Sequence, residues 1–324
     1  MELPARTLSD ADLDAVLLLD PAAPPARALR RAAPPEPAPR PAWLDFWDLT
    51  KPEISFLVTL SALAGFLLGS PGEADGWRLC WTLAGTALSA AGGGVLNHFL
   101  ERGFDARMRR TANRPLPSGR IRAPHALGFG VLLCAAGVAV LAALVGTLTT
   151  VLAALTIGLY LFVYTPLKRK TVLNTVVGTV PGALPALGGY AAATGTLGAG
   201  GWILFLILAF WQMPHFLSLA WMYRKDYARA GYAMLPVAEP DGGSTVRQTL
   251  LFTLLLAGVS IVPSLLGITG WVYGAGALVL GLWFLVPAYA FYRTRTVREA
   301  RRVLIASILY IPLLVVLIFV DRLI

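Results

Sequence analysis

The chain is 324 residues long, 56% hydrophobic and only 14% charged, with a mean hydropathy of +0.66, whereas soluble domains carry about a quarter charged residues. That balance excludes a soluble globular enzyme. The 27 basic and 18 acidic residues give a net charge of +9, and their placement along the chain is more informative than their sum.

Residues 1–42 are rich in Pro, Ala and Arg, with Asp10, Asp12, Asp14 and Asp20 near the front. Such a composition cannot bury a core and predicts a disordered cytoplasmic arm. The acids argue against a mitochondrial transit peptide, and the apolar run at 15–19 is too short for a signal peptide. Beyond the arm, six stretches are free of Asp, Glu, Lys and Arg: 54–72, 79–100, 123–167, 171–223, 248–292 and 303–320. A helix needs about 20 residues to cross a ~30 Å hydrocarbon core. The three long stretches therefore hold two crossings each and the others one, predicting an all-α integral membrane domain of nine transmembrane helices over 43–324. An odd number sets the termini on opposite sides. On that count 25 of the 27 Lys and Arg residues fall on one side, with only Arg78 and Arg322 opposite. Basic loops stay in the cytoplasm, so the expected topology has a cytoplasmic N-terminus and a periplasmic C-terminus. The bacterial inner membrane is the natural compartment and the mitochondrial inner membrane the second choice. The positive charge reads as topology and calls for no nucleic-acid partner; the partner it implies is the lipid bilayer. Cys80 and Cys134 lie in separate apolar stretches and behave as small hydrophobes.

The connections on the outer side are short, while the cytoplasmic ones are long and chemically loaded, which points to a site at the inner face opening into the bundle. At the end of the second crossing Asn97, Glu101 and Asp105 recur every four residues, so they line one stripe of a helix. Oxygen donors suit Mg²⁺, which takes one or two carboxylates and fills its shell with water and phosphate oxygens. An ordinary polar helix end fits the same spacing. The following run, Met108 to Ile121, contains Pro115, Pro117 and Gly119 and predicts a stiff turn presenting Arg109, Arg110 and Arg114. Guanidinium forks suit phosphate oxygens, and lipid headgroups would attract them too.

The fourth crossing ends in Tyr160, Tyr164, Pro166, Lys168, Arg169 and Lys170, a pattern also common as plain interfacial anchoring; Pro166 is expected to stop the helix. Asn174 and the Gly/Pro-rich run 178–189 predict a broken or thinned fifth helix that opens space for a large ligand. The sixth crossing carries Trp211, Gln212, Met213, Pro214, His215 and Phe216. His215 reads as a hydrogen-bonded core residue, a metal ligand, a general base or a substrate contact. In the loop beyond, Asp226 is the only carboxylate between Asp105 and Glu239 and can close a metal site opposite Glu101 and Asp105, with Arg224 and Lys225 beside it.

Taken in order, the motifs Asn97-x3-Glu101-x3-Asp105, Met108-x-Arg110-Thr111-x2-Arg114-Pro115-Leu116-Pro117, Tyr164-Thr165-Pro166-Leu167-Lys168-Arg169, Trp211 to Phe216, and Asp226-Tyr227 with Met234-Leu235-Pro236-Val237 resemble the UbiA-type intramembrane prenyltransferase superfamily. Within it they resemble the enzymes that farnesylate haem, and the resemblance runs from about Leu49 to the end. It implies a UbiA-type helical bundle with catalytic loops on the cytoplasmic side. The implied reaction transfers the farnesyl group of farnesyl diphosphate to a vinyl group of haem B with addition of water, giving haem O for terminal oxidase maturation. Asn97, Glu101, Asp105 and Asp226 would then be the catalytic, Mg²⁺-holding residues. Arg110, Arg114, Lys168, Arg169, Arg224 and Lys225 would bind the diphosphate. Tyr160, Tyr164, Trp211 and Phe216 would line the path of the prenyl cation, and His215, with His98 as second choice, would contact haem, a substrate rather than a cofactor. Where the superfamily's second acidic motif has an earlier acid, this chain has Met222, four residues before Asp226. Haem A synthase and oxidase assembly proteins are the implied protein partners. An aromatic prenyltransferase of the quinone or chlorophyll type is the second reading, and a non-catalytic haem-binding or transport protein the third.

Overall fold

The computed structural model describes residues 41–70 and 72–324, and every regular element among them is helical. The expected arm, 1–42, lies outside the described residues except for Pro41 and Ala42. Helix α1 (Ala42–Leu49) and helix α2 (Pro52–Leu68) meet at a bend of 46°. The bend has a local cause. Pro52 opens α2, and the residue before a proline is pushed out of the right-handed helical region; Lys51 sits there at φ 50, ψ 62.

Helix α3 (Gly76–Asp105) is started by the Asp75 side chain, which accepts from the Arg78 amide at 3.0 Å. Its 30 residues make a rod of about 45 Å, longer than the hydrocarbon core. The last turns, bearing Asn97, Glu101 and Asp105, therefore reach the membrane boundary. Helix α4 (Ala123–Leu144) returns, and α5 (Thr147–Leu167) follows, with a π-helical stretch at Leu159–Tyr164. Next come α6 (Asn174–Thr194), α7 (Ala199–Met222), the short α8 (Arg224–Ala230) and α9 (Leu235–Ala238), and then α10 (Gly243–Leu265), α11 (Trp271–Thr294) and α12 (Val297–Asp321). Eight of these are long and apolar enough to cross a membrane, and the bent pair α1–α2, taken as one broken span, would make nine. The chain is thus a multi-pass membrane protein with eight or nine spans among the described residues, against the nine expected. Large apolar side chains such as Phe162, Leu265 and Val286 are exposed on its outside, as a lipid-facing surface requires.

Of two expectations about helix breaks, one changes and one holds. Helix α6 is continuous through Pro181 and Pro185. Close by, Gln212 Nε2 donates to the Thr179 carbonyl at 3.3 Å and the Thr179 hydroxyl to the Val176 carbonyl at 2.8 Å. Pro166 does stop α5 as expected, the helix ending one residue on at Leu167.

Lipid tails supply no hydrophobic drive between helices, so close backbone approach at small residues holds such bundles together. Helices α2 and α6 meet in this way. A Cβ on Gly65 would collide with the Ala186 carbonyl oxygen, and one on Gly189 with that of Ala62. Helices α3 and α4 do the same, Gly92 lying against Cys134 and Gly137 against Ser89. On the other side, α7, α10, α11 and α12 enclose an aromatic core of Tyr273, Phe284, Phe291 and Tyr310, with the Tyr310 hydroxyl donating to Ser260 at 2.8 Å. Gly189→Leu is expected to wedge α2 from α6 and destabilise the bundle by about 1–3 kcal/mol, read as a lower melting temperature in detergent; an unchanged melting temperature would show that the two helices are not tightly apposed.

Candidate active site

A cavity of about 370 Å³ opens among α2, α3, α5, α6 and α7. It is apolar along the helices and charged where α3 runs into the loop 106–122, with Glu101, Asp105, Arg110, Arg114 and Lys168 in its wall. The stripe read from the sequence is buried along its whole length, Asn97 being 1% exposed, Glu101 7% and Asp105 1%. Burying carboxylates at membrane depth is costly unless they are paired, and each is. Lys168 Nζ donates to both oxygens of Glu101, at 2.8 and 3.1 Å, and the Tyr232 hydroxyl adds a third donor at 3.1 Å. Arg114 Nη1 donates to Asp105 Oδ2 at 2.9 Å. Burial works most strongly on the Lys168 ammonium and against it, but the Glu101 carboxylate together with Tyr164, Tyr160 and Tyr232 holds the amine well above its ordinary range. Burial and then Glu101 push the Tyr232 phenol up, so its proton stays in place as a donor to the carboxylate.

Asn97 is fixed at both ends of its amide. Lys51 Nζ donates to its Oδ1, and its Nδ2 donates to Thr165 Oγ1 at 3.0 Å. Lys51 also reaches the Tyr160 hydroxyl at 3.3 Å and lines the cavity. Asp226, on α8, accepts from Arg229 Nη1 at 2.8 Å and from the Arg110 backbone amide at 3.4 Å. It therefore joins the loop that carries Arg110 and Arg114, although it is not part of the cavity wall. The segment before α9 is pinned to the end of α5: the Ala233 amide donates to the Lys168 carbonyl at 2.7 Å, and Asn174 Nδ2 donates to the Ala233 carbonyl at 2.8 Å. That grip presents Tyr232 to Glu101.

The aromatic residues fall in two groups. On the π-helical stretch, which widens the turn, Tyr160 and Tyr164 stack at 5.9 Å and 20°, and both line the cavity. Gly178 leaves room for this, since a Cβ there would lie 2.5 Å from the Tyr164 ring. On α7, Trp211 stacks on His215 at 5.3 Å, and Phe216 meets that imidazole edge-on at 5.3 Å and 78°. Gly178, Pro181, Gly182, Pro185 and Gly188 of α6 contribute small side chains to the cavity wall.

The remaining sequence candidates sit elsewhere. Arg169 packs over the Phe104 ring at 4.5 Å, Arg224 over Trp221 at 4.4 Å, and Lys225 is exposed; none lines the cavity. His98 is buried with neither ring nitrogen hydrogen-bonded among the described residues, and it too is outside the cavity wall. Sequence reasoning missed Lys51 and Tyr232 as site residues. Lys51 looks like one more topogenic charge and only the bend at Pro52 turns it inward. Tyr232 carries no signal beyond its place between two quoted motifs.

Known proteins share this sequence family and this fold. The model of the UbiA prenyltransferase family matches residues 58–311, and the chain belongs to that family. It is 63% identical over 277 residues to a protoheme IX farnesyltransferase of Salinibacter ruber, covering 86% of this chain and 98% of that protein. It is 39% identical to the mitochondrial protoheme IX farnesyltransferase of Arabidopsis thaliana, covering 82% of this chain and 62% of that one. The fold is shared with a solved digeranylgeranylglyceryl phosphate synthase at a TM-score of 0.70 and 16% identity, covering 87% and 98% of the two chains. A UbiA homologue of Archaeoglobus fulgidus bound to GPP and Mg²⁺ shares it at a TM-score of 0.63 and 16% identity, over 85% and 99%.

Tyr232→Phe is expected to leave the fold intact and to release one hydrogen bond to a charged partner, worth about 1.5–3 kcal/mol. Prenyl diphosphate turnover should fall at least about tenfold; an unchanged rate would remove that hydroxyl from the site.

Proposed function

We propose that the chain transfers the farnesyl group of farnesyl diphosphate to a vinyl group of haem B, with addition of water, to form haem O. The observation that supports this most is the cavity itself: one compartment has a cationic and carboxylate mouth for a diphosphate and an aromatic, apolar wall for a prenyl chain and a flat macrocycle. The 63% identity to a protoheme IX farnesyltransferase selects haem over an aromatic acid as the acceptor.

Asn97, Glu101, Asp105 and Asp226 are the proposed Mg²⁺ holders. Their donors are all oxygen, but among the described residues no three His, Cys, Asp or Glu side chains are grouped to hold a metal ion, and the Lys168 ammonium lies against both Glu101 oxygens, so an ion carried in by the diphosphate would take that ammonium's place at Glu101. When bound, the ion supplies positive charge to the diphosphate oxygens. The chain's own cations do the rest. Arg110, Arg114 and Lys168 bind the departing diphosphate, so that the allylic C–O bond breaks with its electron pair on oxygen. Arg169, Arg224 and Lys225 contribute field rather than contact. Tyr160 and Tyr164 face the developing allylic cation with π-electron density and keep water from it, Trp211 and Phe216 continue that wall, and His215 contacts the haem. His98, outside the cavity wall, is left without that role.

Purified protein given farnesyl diphosphate with either haem B or an aromatic acid is expected to yield only the haem adduct by mass; prenylation of the acid alone would overturn the reading. Glu101→Gln and Asp226→Asn should each lower turnover by about a hundredfold or more, whereas a transport or haem-carrier protein would tolerate both. The same reading sets the basic loops in the cytoplasm of a bacterial inner membrane. A reporter enzyme active only in the periplasm, fused after Ile324, is expected to be active; activity on fusion after residue 170 instead would invert the topology.

A further inference from the structure

Gln212 and His215 are three residues apart on α7, so they leave the helix on one face, and both line the cavity. Each brings an unused acceptor. The Gln212 amide nitrogen donates to the Leu208 and Thr179 carbonyls, at 3.0 and 3.3 Å. That orients its Oε1 towards Gly182, where an added Cβ would overlap it, and Oε1 has no donor among the described residues. His215 Nδ1 lies 2.8 Å from Ser307 Oγ, while the Ser307 hydroxyl gives its own hydrogen to the Leu304 carbonyl at 2.6 Å. Ser307 Oγ is therefore the acceptor, Nδ1 carries the ring hydrogen, and Nε2 keeps a lone pair with no partner among the described residues.

Two acceptors and no free donor on the α7 part of the wall, where their neighbours are Trp211, Phe216, Leu219 and Ala220, reject a carboxylate, which would be a third acceptor. They call for a small molecule that brings two hydrogens. Water is that molecule, and the reaction proposed above consumes one.

We propose that Gln212 Oε1 and His215 Nε2 hold the water that becomes the hydroxyl of the product, that His215 takes its proton, and that Ser307 is the positioning residue that keeps Nε2 unprotonated. This rests on the haem reading. The balance is as follows. The C–O electron pair leaves with diphosphate, and the vinyl π pair forms the bond to the farnesyl carbon, leaving a cation on the carbon beside the porphyrin ring. A water lone pair closes on that carbon, and the water's proton passes to His215 Nε2 and then to solvent. Without a held water the same cation instead sheds a proton from the adjacent carbon and ends as an alkene, lighter by one water.

The test measures the ratio of dehydrated to hydroxylated farnesyl-haem by mass in full-length Gln212→Leu, Gly182→Ala and Ser307→Ala, with haem B and farnesyl diphosphate supplied. The ratio should rise about a hundredfold, the lower end of what a positioned base contributes, while diphosphate release continues; Ser307→Thr, which retains the hydroxyl, should restore the wild-type ratio. A wild-type ratio in all three variants overturns the proposal. So does loss of farnesyl transfer in variants that elute and melt as the wild type does, because the groups would then serve the earlier step. A wild-type control that fails to modify haem overturns the haem reading instead, before any variant is compared.

Discussion

The Glu101–Lys168 pair is the contact on which the rest of the site depends. A lone carboxylate or ammonium at the membrane boundary of a helix bundle is too costly to keep, so each needs the other, and they come from helices 67 residues apart. Bringing them together fixes the end of α3 against the end of α5. The same junction then sets Tyr232, through the backbone pairing of Ala233 with Lys168 and Asn174, and sets Asn97 through Thr165. The carboxylates are paired, and the wall keeps a positive excess, with Lys51, Arg110, Arg114 and Lys168 against Glu101 and Asp105. A diphosphate arriving with its counter-cation can therefore exchange partners with groups that are already in position, which keeps the reorganisation small.

The eight single-helix spans were legible because charge-free length is a blunt and dependable signal in a membrane, whereas the break at Lys51 and Pro52 in the first span was not. The stripe of Asn97, Glu101 and Asp105 was legible because helical period is simple arithmetic. What the sequence hid has physical reasons. A π-helical stretch at Leu159–Tyr164 differs from an α-helix by one residue per turn, and nothing in the composition marks it; yet it lets Tyr160 and Tyr164 stack in the cavity. Proline reads as a helix breaker because it does so in water. A membrane bundle tolerates it within a helix, and α6 runs on through both prolines, so Pro181 and Pro185 thin the wall without cutting it. Lys51 was hidden by its surroundings, being one basic residue among many on the same side until the left-handed conformation before Pro52 turns it inward.

The two sides of the bundle are packed by different means. Helices α2 to α6 approach at glycine and alanine, which leaves volume between them. Helices α10 to α12 fill their interior with tyrosine and phenylalanine. Helix α7 belongs to both, and Ser307 of α12 is bonded twice from it: its carbonyl accepts from Trp211 Nε1 at 2.7 Å, and its hydroxyl oxygen lies against His215. The aromatic side thus acts as a rigid backing that fixes two residues of the cavity wall, while the small-residue side supplies the space.

That division orders the polar groups along the cavity. Cations and carboxylates gather at the end where α3 meets its loop, the stacked tyrosines follow on α5, and the unpartnered acceptors stand on α7. On the proposed reading this order matches the order in which charge develops. Negative charge builds on the leaving diphosphate among the cations, positive charge on the allyl carbon meets the aromatic rings, and the last event, proton loss from water, needs an acceptor with no competing donor. Moving a free donor beside His215, or an acceptor among the arginines, would leave every helix in place and still misplace the chemistry. The fold therefore provides the cavity, while the sequence in which donors, rings and acceptors line it determines what can react there.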